Sequence, residues 1–157
     1  MPDITVHFAS DHAAVALRRE LLAVAEQAGF AVVDHGPQDT ASIDYPDQAC
    51  RVAEALAHDP AALGVLVCGT GIGMSMVANR FTHLRAAAVS DVFSAQATRA
   101  HNNANVLCLG ARTLGAGLAS SILEAFLTTP FEGGRHERRL GKFPGGYHPS
   151  TNLRTES

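Results

Sequence analysis

The sequence predicts an α/β fold: a three-layer α/β/α sandwich around a Rossmann-like, five-stranded parallel sheet. Strand-like and helix-like patterns alternate along the 157 residues, and each strand-helix unit takes about 25 residues. Residues 63–69, LGVLVCG, are almost continuously apolar, which is typical of a central parallel strand covered on both faces. The length suffices for a substantial core, so we expect a single domain over residues 1–143. Residues 144–157 are rich in Pro, Gly, Ser and Thr and predict a flexible tail.

Local patterns then place each element in order. The strand-like segments are residues 4–9, 30–36, 63–69, 85–90 and 105–110. The helix-like segments are residues 12–28, a stretch from DYPD at 44–47 to about residue 58, and residues 72–80, 91–101 and 115–128. Gly29 ends the first helix and Pro130 ends the last. Apolar residues at helical spacing mark one side of three helices: Leu17, Leu21, Val24 and Ala28; Phe93, Ala97 and Ala100; and Leu118, Ile122, Ala125 and Phe126.

Composition excludes several classes of protein. A formal net charge of -3 argues against a nucleic-acid-binding protein that relies on overall positive charge. No apolar run approaches the ~20 residues of a membrane-spanning helix, so we expect no membrane partner. The cysteines, Cys50, Cys68 and Cys108, are odd in number and widely spaced, which fits neither a disulfide framework nor a CxxC metal site. We therefore expect a cytoplasmic protein, with Cys50 and Cys108 as inert core thiols.

Ligands of such sheets bind at the carboxyl ends of the strands, where this sequence places several reactive side chains. Asp11 and His12 follow the first strand, CGTGIG at 68–73 follows the third, and Arg112 follows the fifth. The glycines of CGTGIG present several N–H groups at a helix start, which suits a phosphate or a developing oxyanion. The motif is not a dinucleotide fingerprint, because Met74 stands where glycine is needed, and no Gly-Lys-Ser/Thr of a P-loop follows. A tight turn without a ligand is the alternative.

Each of the other candidates also has two interpretations. Cys68 is either a thiolate favoured by the following helix or a packed core thiol. Asp11 is a ligand-binding residue or only a helix cap, and His101, at the end of the fourth helix, is an acid-base group or a capping residue. Arg135 and Arg139 share a helical face, which makes them a phosphate-binding pair or a solvated surface.

Together these motifs resemble the type B ribose-5-phosphate isomerases, whose family also contains galactose-6-phosphate isomerase subunits. The motifs that carry the resemblance are SDH at 10–12, DYP at 44–46, CGTGIGMSMVANR at 68–80, SAQATRAHNNANVLCLGAR at 94–112 and GGRHERR at 133–139. The resemblance implies an α/β sandwich that binds sugar phosphate, needs no cofactor or metal, and interconverts aldose and ketose phosphates through an enediolate. It also implies a homodimer or a dimer of dimers with active sites at the subunit interface.

The resemblance further implies roles for individual residues. Cys68 would move the proton between C2 and C1, Thr70 would assist transfer between the two oxygens, and His101 would open the sugar ring. The enediolate oxyanion would be held by the backbone N–H groups of Gly69, Thr70, Gly71, Ile72 and Gly73. Contacts to the sugar or its phosphate would come from Asp11, His12, Asn102, Arg112, Arg135 and Arg139. One branch of the family replaces the cysteine and uses a glutamate base within the glycine turn, but Cys68 and Met74 match the thiol branch.

The expected reaction is the interconversion of D-ribose 5-phosphate and D-ribulose 5-phosphate, a step of the pentose phosphate pathway. A different sugar phosphate, such as that of allose, galactose or a tetrose, is the first alternative, because the loops at 37–45 and 102–104 would set sugar length. A non-catalytic phosphosugar-binding module is the second alternative, and the combination of Cys68, Thr70 and His101 argues against it.

Overall fold

The computed structural model describes residues 3–149 and has the predicted three-layer α/β/α architecture. Its five-stranded sheet is parallel throughout, with strand order β2-β1-β3-β5-β4. The strands are β1 Thr5–Ser10, β2 Ala31–Asp34, β3 Leu63–Cys68, β4 Ala86–Ala88 and β5 Val106–Gly110. Every residue of β3 and β5 is buried, as the apolar run at 63–69 predicts for central parallel strands.

Helices cover both faces of the sheet and leave a separate core on each. They are α1 Val15–Gln27, α2 Tyr45–His58, α3 Ile72–Ala78, α4 Val92–Asn102, α5 Ala116–Thr128 and α6 Arg135–Leu140, and a 3-10 turn over His12–Ala14 precedes α1. One core joins α1 and α5 to the sheet through residues such as Leu21 and Phe126. The other joins α2 and α3 through Val52 and Met74. Between residues 3 and 149, no helix is both long and apolar enough to cross a membrane.

Three expected burials are wrong. Phe93 is 78% exposed, because the inward face of α4 runs through Ala95, Thr98 and Arg99 at helical spacing. Leu118 is 44% exposed, since the buried face of α5 begins one residue later, at Ala119. Cys50 lies on the outer side of α2 and is exposed. Cys108 is buried as expected.

The segment after α6 returns to the domain and contacts it near Arg85 and Asn103. Residues 144–149 are described, and Tyr147 and His148 make hydrogen bonds to other parts of the chain. The rest of the predicted tail, residues 150–157, lies outside the described residues, as do residues 1 and 2.

Candidate active site

The glycine turn at the carboxyl end of β3 forms the centre of the candidate site. Gly71 has a φ of 79°, a left-handed conformation that favours glycine, and begins α3. This conformation directs its N–H to Cys68 Sγ, at a distance of 3.2 Å. Cys68 itself is only 6% exposed. The Gly71 N–H is therefore a hydrogen-bond donor to a buried sulfur at the start of a helix.

Two further side chains border the turn. The backbone N–H of Arg112 donates to Gly69 O at 3.0 Å. A Cβ placed on Gly69 would lie 3.7 Å from Nη1 of the Arg112 side chain. Arg112 therefore brings a guanidinium to the turn, as predicted. Thr70 is exposed, and its Oγ1 accepts a hydrogen bond from the Ile72 N–H at 3.2 Å. Its hydroxyl proton is consequently free to be donated towards a bound molecule.

The Tyr45 ring packs directly against the turn, where a Cβ on Gly73 would lie 2.8 Å from Tyr45 Cζ. Tyr45 belongs to the DYP motif at 44–46, for which the sequence predicts no role. The available signal was its position at the start of α2, after a loop that faces the carboxyl edge of the sheet.

Asp11 and His12 lie at the same edge, after β1. The Asp11 N–H donates to Val67 O at 3.0 Å, which ties this segment to the end of β3. Asp11 Oδ1 accepts from the Ala13 N–H at 3.0 Å, so Asp11 does cap the following 3-10 turn. His12 Nδ1 accepts from the Ile43 N–H at 3.2 Å. In the neutral ring the proton is then on Nε2, which makes that nitrogen a donor.

His101 and Asn102 lie elsewhere. Helix α4 starts after the carboxyl end of β4 and ends before the amino end of β5, so its last residues lie at the amino edge of the sheet. Its 11 residues span about 16 Å. Cys68 is the last residue of β3, at the carboxyl edge. The sequence-based grouping of His101 and Asn102 with the strand-end residues is therefore wrong for a single chain.

Helix α6 packs beside the end of α4, where His101, Glu132 and His136 form a cluster. The rings of His101 and His136 stack with centroids 4.3 Å apart and an interplanar angle of 13°. Glu132 Oε2 lies 3.3 Å from His136 Nε2 and 4.0 Å from His101 Nε2. Burial, followed by the positive potential of His101 and Arg135, lowers the pKa of His136. Sequence analysis missed Glu132 and His136, whose association with His101 depends entirely on helix packing.

The remaining predicted phosphate ligands, Arg135 and Arg139, belong to α6 and are exposed. The predicted site residues thus form two sets. The carboxyl-edge set is Asp11, His12, Cys68–Gly73 and Arg112, and the amino-edge set is His101, Asn102, Arg135 and Arg139.

One group of metal-ligating side chains occurs in residues 3–149: the ligand atoms of His101, Glu132 and His136 lie within 4.8 Å of one another. The nearly parallel rings keep the two nitrogen lone pairs in parallel planes instead of directing them to one point.

Comparisons with known proteins identify the family of this chain. The profile of the Ribose/Galactose Isomerase family matches residues 6–143. Ribose-5-phosphate isomerase B of Escherichia coli is 41% identical over 135 residues, 86% of this chain and 91% of that protein. D-erythrulose-4-phosphate isomerase of Pectobacterium atrosepticum is 38% identical over 146 residues, 92% of this chain and 95% of that protein.

Solved structures give the same result. The crystal structure of ribose-5-phosphate isomerase B from Mycoplasma genitalium with bound ribulose-5-phosphate superposes with a TM-score of 0.87 at 39% identity. The match covers 90% of this chain and 95% of that one. The fold, the glycine turn with its cysteine and the match over residues 6–143 lead to one assignment. The chain belongs to the Ribose/Galactose Isomerase family and is a sugar-phosphate isomerase of that family.

Proposed function

We propose that this protein interconverts D-ribose 5-phosphate and D-ribulose 5-phosphate, with Cys68 as the base that moves a proton between C2 and C1. The observation that carries the proposal is the 3.2 Å hydrogen bond from the Gly71 N–H to Cys68 Sγ, in a turn whose Thr70 is exposed. A proton α to a carbonyl is weakly acidic, so its removal needs a positioned base and stabilisation of the resulting oxyanion. Thiol and turn supply both.

The reaction proceeds through an enediolate. The Cys68 thiolate removes the C2 proton of the linear aldose, and the electrons move onto O1. This negative oxygen is held by backbone N–H groups of the turn at residues 69–73 other than those of Gly71 and Ile72, which donate to Cys68 Sγ and Thr70 Oγ1. The Thr70 hydroxyl supports proton movement from O2 to O1, and the Cys68 thiol then returns its proton to C1. Substrate and product have the same atoms and electrons, so the sequence of steps requires no external oxidant or reductant.

Ring opening precedes these steps, since the aldose is mostly cyclic. His101 is the group to which we assign it, because an imidazole can donate and accept protons near neutral pH. The arginines Arg112, Arg135 and Arg139 bind the phosphate, and Asp11, His12 and Asn102 contact the sugar or phosphate.

The separation of the two residue sets favours a homodimer, or a dimer of dimers, with interfacial sites. Each carboxyl-edge set would receive the amino-edge set of a second copy, so that Cys68 would face the partner's His101. The outer face of α3 supports this arrangement. Its residues Ile72 and Met76, 52% and 65% exposed and one helical turn apart, form an apolar surface beside the glycine turn.

A different sugar phosphate is the alternative substrate. One relative in the comparison, from Pectobacterium atrosepticum, is named D-erythrulose-4-phosphate isomerase, so close sequence similarity coexists with other sugars in this family. The loop that carries Ile43 and leads to Tyr45 at the start of α2 would determine which sugar length fits, since both residues contact the predicted site.

A panel of phosphorylated aldoses, each assayed for ketose formation, tests the proposal. Ribose 5-phosphate should have the highest kcat/KM. Cys68→Ala should lower kcat by about 10²- to 10⁴-fold, the usual contribution of a general base, while substrate binding is largely retained. Cys50→Ala is the matched control, because that thiol is exposed on the outer side of α2. Full activity of Cys68→Ala, or preference for another aldose, would contradict the respective part.

A further inference from the structure

The segment after α6 leads to an inference about how the amino-edge set is held. The family profile ends at residue 143, and the described residues 144–149 follow it. Residues 144–149 nevertheless return to the domain. Tyr147 is half-buried, whereas its neighbours Gly146 and His148 are exposed. A Cβ on Gly145 would lie only 3.0 Å from Thr82 Cγ2, which indicates close apposition to the loop before β4.

Tyr147 and Arg85 both contact Asn103. The Asn103 side chain donates from Nδ2 to Tyr147 Oη at 2.9 Å. Arg85 donates from Nε to Asn103 O at 2.7 Å and from Nη1 to His148 O at 3.0 Å. The Arg85 guanidinium also lies over the Tyr147 ring, 5.1 Å from its centroid. Arg85 is 7% exposed, so these interactions form in a largely water-excluded environment.

Asn103 is a sensitive point of the fold. It ends α4 with φ 44° and ψ 44°, a left-handed conformation that non-glycine residues rarely adopt and that its surroundings must hold. The two residues immediately before it are His101 and Asn102. Asn102 also lines a cavity of about 460 Å³ together with Arg85 and Tyr147, so the end of α4 has space to shift if these contacts are lost.

We infer that Tyr147 and Arg85 are positioning residues, which hold the turn at Asn103 and thereby fix His101 and Asn102 for catalysis. This inference rests on the proposed function, because it takes His101 and Asn102 as members of the site. Neither Tyr147 nor Arg85 touches the substrate in this account. Residues 144–149 thus affect the reaction only through the end of α4.

The test compares three variants of the full-length protein with the wild type. Tyr147→Phe removes only the hydroxyl that accepts from Asn103. His148→Ala is the control, since Arg85 binds the His148 backbone carbonyl and that carbonyl remains. Asn103→Gly keeps the left-handed conformation accessible but removes the side-chain donor. Measurements are kcat, KM, melting temperature and hydrogen exchange of the Ala104 N–H, which donates to Thr98 O at the end of α4.

We expect Tyr147→Phe to lower kcat by about five- to tenfold, the usual effect of one net hydrogen bond, with KM nearly unchanged and the melting temperature lowered by no more than about 4 °C. Exchange of the Ala104 N–H should accelerate. His148→Ala should match the wild type. When Tyr147→Phe is added to the Asn103→Gly background, it should have no additional effect, because the two residues act as one pair.

Wild-type kcat and wild-type Ala104 exchange in Tyr147→Phe would overturn the inference, and so would a loss of the same size in His148→Ala. A fall in melting temperature that accounts for the whole loss of active protein would also overturn it. Failure of the proposed function would be seen separately, as absence of isomerisation by the wild-type protein, and the exchange measurement would then still decide whether Tyr147 holds the end of α4.

Discussion

Substitution of Gly71 by alanine tests the glycine turn most severely. With φ at 79°, the alanine would occupy a left-handed conformation that costs about 1–2 kcal/mol. Its Cβ would also lie 3.0 Å from the backbone N and C atoms of Leu109 in the buried strand β5, which cannot move aside as a side chain can. Overpacking of this kind costs a further ~1–3 kcal/mol. Together the two contributions predict a loss of about 2–5 kcal/mol in the free energy of unfolding.

The catalytic effect of Gly71→Ala should exceed its effect on stability. The turn has to shift to relieve the contact, and the Gly71 N–H then moves away from Cys68 Sγ. We expect kcat to fall by at least about tenfold, since one charge-assisted hydrogen bond is lost. Urea denaturation and steady-state kinetics measure the two quantities.

Gly117→Ala is the control for this experiment. Gly117 lies within α5, and a Cβ there meets nothing within 4 Å. Alanine should therefore stabilise the protein by about 0.5–1 kcal/mol through helix propensity, without a change in kcat. A Gly71→Ala protein with wild-type stability and wild-type turnover would refute the proposed geometry of the turn.

Three other predictions concern different parts of the molecule. Asp34→Ala should lower the free energy of unfolding, measured in urea, by about 3 kcal/mol. The fully buried Arg18, whose Nε lies 2.9 Å from Asp34 Oδ1, would lose its counter-charge, and a loss below ~1 kcal/mol would contradict this. Burial lowers the pKa of both His7 and His35 below 6.5, so the unfolded state binds protons first and stability should fall as the pH drops below 6.5. A variant with both histidines changed to asparagine should keep only the part of this slope that His136 contributes, because the pKa of His136 is lowered as well, and an unchanged slope would show that His7 and His35 do not cause it. Arg139→Ala should raise KM by about ten- to a hundredfold with kcat nearly unchanged, since the phosphate is bound similarly in ground and transition states; a loss in kcat alone would contradict a phosphate-binding role.

Local patterns were sufficient to predict the fold and the glycine turn at the carboxyl edge of the sheet. The apolar run at 63–69 predicts a central strand, and the glycines that follow it predict a turn at the carboxyl edge, because both features depend on neighbouring residues. The direction of α4 was also available, since a helix between parallel strands returns the chain to the amino edge. Applied to His101, that rule would have separated it from Cys68.

Other features depend on packing that short-range patterns do not encode. Phe93 stands at apolar spacing with Ala97 and Ala100, yet it is exposed, because the buried face of α4 runs through Ala95, Thr98 and Arg99. The stacking of His101 on His136 joins segments separated by an entire strand and helix. The Asn103 side chain contacts Tyr147, which lies 44 residues further along the chain and beyond the end of the family match.

The central claim is that a complete active site combines Cys68 of one chain with His101 of another, and a mixed dimer tests it most directly. Cys68→Ala and His101→Asn chains carrying different affinity tags are combined, and the heterodimer is purified and assayed with ribose 5-phosphate. If sites are shared, one site of the heterodimer carries both defects and the other carries neither, so we predict about half of the wild-type activity. Activity no higher than that of the two parent homodimers would place both residues in the same chain's site and contradict the account.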